Sequence, residues 1–102
     1  MNIISVDELK ARMDAGETLH LIDVREPSEY AEFNIGAKLI PLGRFQSMQL
    51  EELEDLKNEE IIIHCRSGKR SATACLILDT MGFTNTKNVV GGMLAWQEKY
   101  KK

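Results

Sequence analysis

Cys65-Arg66-Ser67-Gly68-Lys69-Arg70-Ser71 places a nucleophile, three cations and a glycine in one short stretch. The apolar run Ile61-Ile62-Ile63 precedes it, and Ala72-Thr73-Ala74-Cys75-Leu76-Ile77-Leu78 follows. That order reads as strand, basic loop, helix, with Cys65 at the end of the strand. A helix N-terminus offers unpaired N–H groups and the positive end of the helix dipole. A loop curled over the sulfur adds further N–H groups, in the manner of a phosphate-binding nest. Arg66, Lys69 and Arg70 contribute positive charge, and no acidic residue follows until Asp79. Each of these factors favours the thiolate and lowers the thiol pKa below its free value of roughly 8.5. A sulfur already ionised in this way attacks without a general base.

The other polar candidates divide between chemistry and packing. Cys65 as a small buried hydrophobe fits poorly among charged neighbours. Cys75 is the reverse case: mid-helix beside Ala74, Leu76, Ile77 and Leu78, it reads as inert core, with a resolving role the alternative. Arg66, Lys69 and Arg70 are candidates for binding an anion, Arg70 foremost; the plain alternative is a solvated basic loop. Gly68 is expected to supply a positive φ that lets the loop curl. Ser67 and Ser71 either hydrogen-bond the sulfur or cap the helix, and capping is the simpler account of Ser71. Asp23 and Arg25 are expected to be structural, Asp23 pairing loop amides or a basic group and Arg25 pairing Glu29. His64 adjoins Cys65 but points to the opposite sheet face, so it is a poor general base, and His20 a poorer one. Met48, Met81, Met93 and Trp96 read as packing residues.

The elements that must carry these residues alternate. Ser5-Val6-Asp7-Glu8 is a capping box opening a helix that buries Leu9 and Met13 and stops at Gly16. Leu19 to Val24 reads as a buried strand. Pro27 suits the first turn of a short helix from Ser28 to about Phe33. Leu39-Ile40-Pro41 is extended. Leu50, Leu53 and Leu56, among Glu51, Glu52, Glu54 and Asp55, predict an amphipathic surface helix. Ile61 to His64 is the most buried strand, since consecutive β-branched residues suit a parallel sheet covered on both faces. A helix over Ser71 to Met81 ends at Gly82, Thr86 to Val90 forms another strand, and Gly91-Gly92 turns into a last helix with Leu94, Ala95 and Trp96. Alternation of this kind implies an α/β fold with a mostly parallel sheet and helices on both sides. Sites in such sheets lie beyond the carboxyl ends of the strands. Cys65 and Asp23-Val24-Arg25 both fall there.

Size and charge narrow the function. The 102 residues, 43 % hydrophobic and 28 % charged, suit one domain over 1–102 with a core that needs neither disulfides nor metal. The net charge of −3 excludes general affinity for nucleic acid or an acidic membrane, and the basic loop is a local exception. That contrast suits a small anionic substrate. The N-terminus carries no secretory pattern, no segment approaches a membrane span, and the two cysteines form neither a CxxC pair nor a zinc cluster. The expectation is a reducing, cytoplasmic setting.

Four segments carry a family resemblance: Asp23-Val24-Arg25-Glu26-Pro27-Ser28-Glu29-Tyr30, Leu39-Ile40-Pro41-Leu42, Cys65 to Ser71, and Gly91-Gly92-Met93-Leu94-Ala95-Trp96. In this order and spacing the chain resembles the single-domain rhodanese sulfurtransferases. The resemblance implies a five-stranded parallel sheet flanked by helices. It also implies a cysteine that takes sulfane sulfur from a donor such as thiosulfate and passes it to a thiophilic acceptor. By position Cys65 would form the persulfide, and Arg66, Ser67, Gly68, Lys69 and Arg70 would cradle the anionic donor. No cofactor or metal is implied, and the acceptor would be a thiol or a protein. Phe33-Asn34-Ile35-Gly36-Ala37 is one residue shorter than the corresponding family stretch, which leaves that loop's conformation open. The rivals are a cysteine-dependent phosphatase or arsenate reductase on a similar fold, and a non-catalytic binding module. The phosphatase pattern Cys-x5-Arg would place arginine where this chain has Ser71.

Overall fold

The computed structural model describes residues 1–100. Five strands, β1 (Asn2–Ile4), β2 (His20–Asp23), β3 (Lys38–Leu39), β4 (Ile61–His64) and β5 (Thr86–Val89), form one parallel sheet in the order β1-β5-β4-β2-β3. Four α-helices lie in the connections, α1 (Val6–Asp14), α2 (Pro27–Glu32), α3 (Leu42–Gln46) and α4 (Lys69–Thr80), and α5 (Gly92–Tyr100) follows β5. β4 sits at the centre and is buried along its whole length, as its β-branched run requires. Alternation along β4 sends Ile61 and Ile63 to one core and Ile62 to the other. The first core also holds Phe45, Leu53, Cys75 and Leu78, from the α3 and α4 side of the sheet. The second holds Leu9, Met93 and Trp96, from α1 and α5. Both sheet faces are therefore covered, and the loops at the carboxyl ends of β2 and β4 meet at one rim.

Several local expectations hold. Ser5 caps α1, its hydroxyl accepting from Glu8 N at 3.0 Å. Pro27 occupies the first turn of α2, where its missing N–H costs nothing. Others need correction. β1 was not foreseen: it is three residues long with only Ile4 buried, and its strand character comes from pairing Ile3 with Asn88 and Ile4 with Val89. α3, around Gly43, was likewise unforeseen. The segment Glu51–Leu56 is a 3₁₀ rather than an α-helix. Leu50, Leu53 and Leu56 recur every third residue, which matches three residues per turn. α4 starts at Lys69, two residues before the expected Ser71, because Gly68 adopts φ +101° and turns the chain directly into the helix.

Candidate active site

β4 delivers Cys65 to the rim. Val24 N donates to His64 O at 3.1 Å, so β2 and β4 stay in register up to the residue before the cysteine. The chain then curls through Arg66 and Ser67 to Gly68. Gly68 N donates to Cys65 Sγ at 3.1 Å, and Ser71 N donates to it at 3.3 Å. Ser71 is the third residue of α4, so the sulfur stands where an N-cap side chain ordinarily accepts. This is the expected helix-terminus cradle. The Ser71 hydroxyl also lies 3.3 Å from Sγ. Ser71 is therefore not the helix cap; its side chain faces the sulfur and is fully buried.

Two further elements hold the loop from behind. Asn88 of β5 donates from Nδ2 to Gly68 O at 3.1 Å and accepts the Ser71 hydroxyl at 2.5 Å. At the start of α5, Met93 N donates to Cys65 O and Leu94 N to Arg66 O, each at 2.9 Å. Gly92 makes that approach possible, since a Cβ there would lie 2.4 Å from Cys65 O and 2.7 Å from Arg66 O. Asn88 and Gly92 were not singled out in the sequence for these roles. Asn88 gives no local signal, whereas the adjacent glycines at 91 and 92, directly after a strand, mark a close backbone approach.

The electrostatics separate the two cysteines. Burial pushes the Cys65 thiol up, but the Ser71 hydroxyl and the N–H groups of Ser71, Gly68 and Ser67 outweigh it and hold the thiol below its ordinary value. Hydrogen bonds, more than basic side chains, set this shift. Burial pushes the Cys75 thiol up to about 12, only partly offset by a hydrogen bond with Thr86. Cys65 is only 1 % exposed, so its sulfur is sheltered within the loop.

The three cations are not equivalent. Arg70 Nη1 and Nη2 donate to the two carboxylate oxygens of Glu29 at 2.8 and 2.9 Å. That bidentate pair holds the Glu29 carboxyl down at about 2, against the opposing effect of burial. Arg66 and Lys69 are exposed, and among the described residues their side chains make no hydrogen bond or ion pair. Arg70, the cation favoured in the sequence, is thus the one already neutralised. The expected Arg25–Glu29 pair is replaced. Arg25 donates from Nε and Nη2 to Asp23, its Nη2 also reaches Phe33 O at 2.6 Å, and Asp23 Oδ1 accepts Arg25 N at 2.9 Å. Asp23 and Arg25 are both buried, and their closed pair fixes the Phe33–Ala37 loop beside the site. His64 is wholly buried with Nε2 3.9 Å from Asp23, and burial lowers its pKa to about 4 despite the nearby carboxylate. It is neutral at pH 7 and no general base for the sulfur.

A cavity of about 150 Å³ opens beside the loop, lined by Arg25, Glu29, Phe33, Arg66 and Met93 among others. Two larger cavities are lined by none of the loop residues. Among the described residues no three His, Cys, Asp or Glu side chains gather to hold a metal ion, and no helix is long and apolar enough to cross a membrane.

The family model for the rhodanese-like domain matches residues 5–99. The chain belongs to the rhodanese-like domain family. Its relatives include the Bacillus subtilis protein YtwF, provisionally named a sulfurtransferase, which is 44 % identical over 96 % of this chain and 92 % of its own. The human thiosulfate:glutathione sulfurtransferase is 30 % identical over 94 % of this chain and 93 % of its own. Among solved structures, a rhodanese-like domain protein from Staphylococcus aureus superposes with a TM-score of 0.83 at 37 % identity, covering 94 % of this chain and 91 % of that one. These likenesses support sulfur transfer as the general reaction class of this rhodanese-like domain.

Proposed function

We propose that this rhodanese-like domain moves sulfane sulfur from a small anionic donor such as thiosulfate to a thiol acceptor through a persulfide on Cys65. The observation that carries the reading is the sulfur itself, held by Gly68 N and Ser71 N at the start of α4 while Arg66 and Lys69 stand unpaired beside it. The Cys65 thiolate attacks the outer sulfur of thiosulfate. A new S–S bond forms, and the bond to the sulfonate sulfur breaks with its electron pair leaving on sulfite. The terminal sulfur inherits the negative charge, and the loop N–H groups are placed to stabilise it. An acceptor thiolate then attacks that sulfur and regenerates the Cys65 thiolate. Arg66 and Lys69 draw the anion in, Ser67 and Gly68 contribute backbone N–H groups, and Arg70 contributes a charge shared with Glu29. The human relative's name, which pairs thiosulfate with glutathione, supports a small anionic donor and a small thiol acceptor.

Treatment with thiosulfate, followed by intact-mass and peptide analysis, tests this. The expected result is the mass of one added sulfur atom on the Cys65 peptide with sulfite released in equal amount. Cys65-dependent phosphate release from an aryl phosphate, with no persulfide formed, would replace the reading with the phosphatase.

A further inference from the structure

The sulfur's neighbour Ser71 has only one hydroxyl proton, and the geometry shows where it goes. Asn88 can be oriented without ambiguity. Its Nδ2 donates to Gly68 O at 3.1 Å, which turns Oδ1 towards Ser71 Oγ at 2.5 Å. An amide oxygen only accepts, so Ser71 must donate to it. A serine hydroxyl carries a single proton and two lone pairs. With that proton on the Asn88 side, the 3.3 Å contact between Ser71 Oγ and Cys65 Sγ can be a hydrogen bond only when Cys65 is protonated and its sulfur donates. The resting arrangement is therefore a chain from the Cys65 S–H to Ser71 to Asn88, which suits the thiol. When the thiol gives its proton to water, the Ser71 hydroxyl can stabilise the thiolate only by rotating away from Asn88.

We propose that Asn88 is a positioning residue for the sulfur chemistry, holding the Ser71 proton away from Cys65 until the thiol ionises, so that the Ser71 hydroxyl works as a two-position switch. The inference rests on Cys65 being the nucleophile. It assigns opposite duties to the groups around the sulfur. The N–H groups of Gly68 and Ser71 are fixed donors that always favour the thiolate. The hydroxyl is a conditional donor whose transfer to sulfur breaks a short bond to Asn88. A thiolate held too strongly is a weak nucleophile, because nucleophilicity falls with pKa. Asn88 thus keeps Cys65 from being over-stabilised. The other charged or titratable neighbours are Arg66, Lys69 and Arg70 on the loop and α4, Glu29 through Arg70, and the buried His64 with Asp23 and Arg25. Among the described residues, none of them hydrogen-bonds Asn88 or the Ser71 hydroxyl.

The test is the pH dependence of Cys65 alkylation by iodoacetamide in wild type, Ser71→Ala, Asn88→Ala and the double variant. Removing Asn88 frees the Ser71 proton but also loosens Gly68. The Ser71→Ala background contains only the second effect. Asn88→Ala is expected to shift the titration midpoint downward relative to its effect in the Ser71→Ala background. The difference should correspond to about fivefold more thiolate at a fixed pH, the worth of one neutral hydrogen bond. Equal shifts in the two backgrounds would make Asn88 a scaffold alone and overturn the proposal. A relative shift upward would show that Ser71 already donates to sulfur at rest, and would overturn it equally. Should Asn88→Ala fail to fold, Asn88→Asp keeps the size and the acceptor; its midpoint should rise more with Ser71 present than absent, and an equal rise refutes the switch. Alkylation requires no sulfur transfer, so this outcome stands apart from that of the thiosulfate experiment.

Discussion

Replacing Gly92 with alanine tests whether α5 holds the cysteine loop in place. The new Cβ would lie 2.4 Å from Cys65 O, 2.7 Å from Arg66 O and 2.8 Å from Arg66 C. All are backbone atoms, so no side chain can swing aside. Ordinary contact begins at 3.4 Å, and the loop or the helix must therefore yield by about 1 Å. Overpacking of this kind costs about 1–3 kcal/mol. The left-handed backbone at φ +54° adds about 1 kcal/mol for a residue with a Cβ. The bonds from Met93 N and Leu94 N to the loop carbonyls would lengthen as well. A total near 3 kcal/mol is expected in urea unfolding. A reacting atom displaced by about 1 Å loses on the order of a hundredfold in rate. Gly16→Ala is the control: φ is +79° there, and nothing lies within 4 Å of the added Cβ. It should carry the backbone strain without the steric clash and leave sulfite release from thiosulfate unchanged. A Gly92→Ala protein with wild-type sulfite release, and a urea midpoint matching Gly16→Ala, would show that this contact does not position Cys65.

Limiting iodoacetamide near neutral pH should label Cys65 and spare Cys75, whose thiol burial raises to about 12; peptide mapping showing equal labelling would defeat the tuned thiolate. Cys65→Ser should abolish sulfur transfer with the circular dichroism spectrum intact, and Cys75→Ala should keep most of the activity; loss of turnover in a folded Cys75→Ala protein would demand a two-cysteine mechanism. His64 gives a pH prediction. Its folded pKa of about 4 lies below the unfolded 6.5, so the unfolded chain binds the proton first as pH falls. The His64 contribution to stability is present above pH 6.5 and is lost between 6.5 and 4, about 3 kcal/mol for this group alone. Urea unfolding across that range should show the slope in wild type and a flatter one in His64→Asn; identical slopes would remove His64 as its source.

The sequence reveals the inner strands of the sheet, the two covered faces and the position of Cys65, because these depend on short-range patterns, whereas the edge strand β1 carries no such pattern. Ile61-Ile62-Ile63 is a buried strand wherever it is placed, and a cysteine between it and a basic, glycine-containing loop has few other uses. Relations that depend on the partner chosen were not legible. Glu29 lies within reach of Arg25 along the chain, yet it pairs with Arg70, forty-one positions away in sequence, while Asp23 closes on Arg25. Ser71 looked like a cap because serine before an apolar run usually is one. Gly68 took the turn instead and carried Ser71 into the helix, with its hydroxyl on the sulfur. Asn88 had no signal of its own, since its partners, Gly68 and Ser71, come from a different strand–helix junction.

Those same pairings argue about which anion the loop can hold. Six residues after Cys65, where a phosphoryl-transfer loop would present an arginine, the buried Ser71 spends its hydroxyl on Asn88 and its N–H on the sulfur. Arg70, one position earlier, is turned to α2 and clamped on Glu29 through both terminal nitrogens. A phosphoryl group carries three equatorial oxygens and needs a bidentate cation within the ring of N–H donors. Here that fork is occupied by the Glu29 carboxylate, and Arg66 and Lys69 are left exposed and, among the described residues, unpaired. Such charges speed the approach of a small anion without fixing its geometry. The fixed donors, Gly68 N and Ser71 N, converge on one sulfur atom, the requirement for holding a thiolate and then a persulfide. Releasing Arg70 by Glu29→Gln should therefore leave aryl phosphate hydrolysis negligible, because the arginine still projects from the wrong position of the loop; phosphatase activity gained in that variant would show that the Glu29 clamp, and not the loop register, is what excludes phosphate.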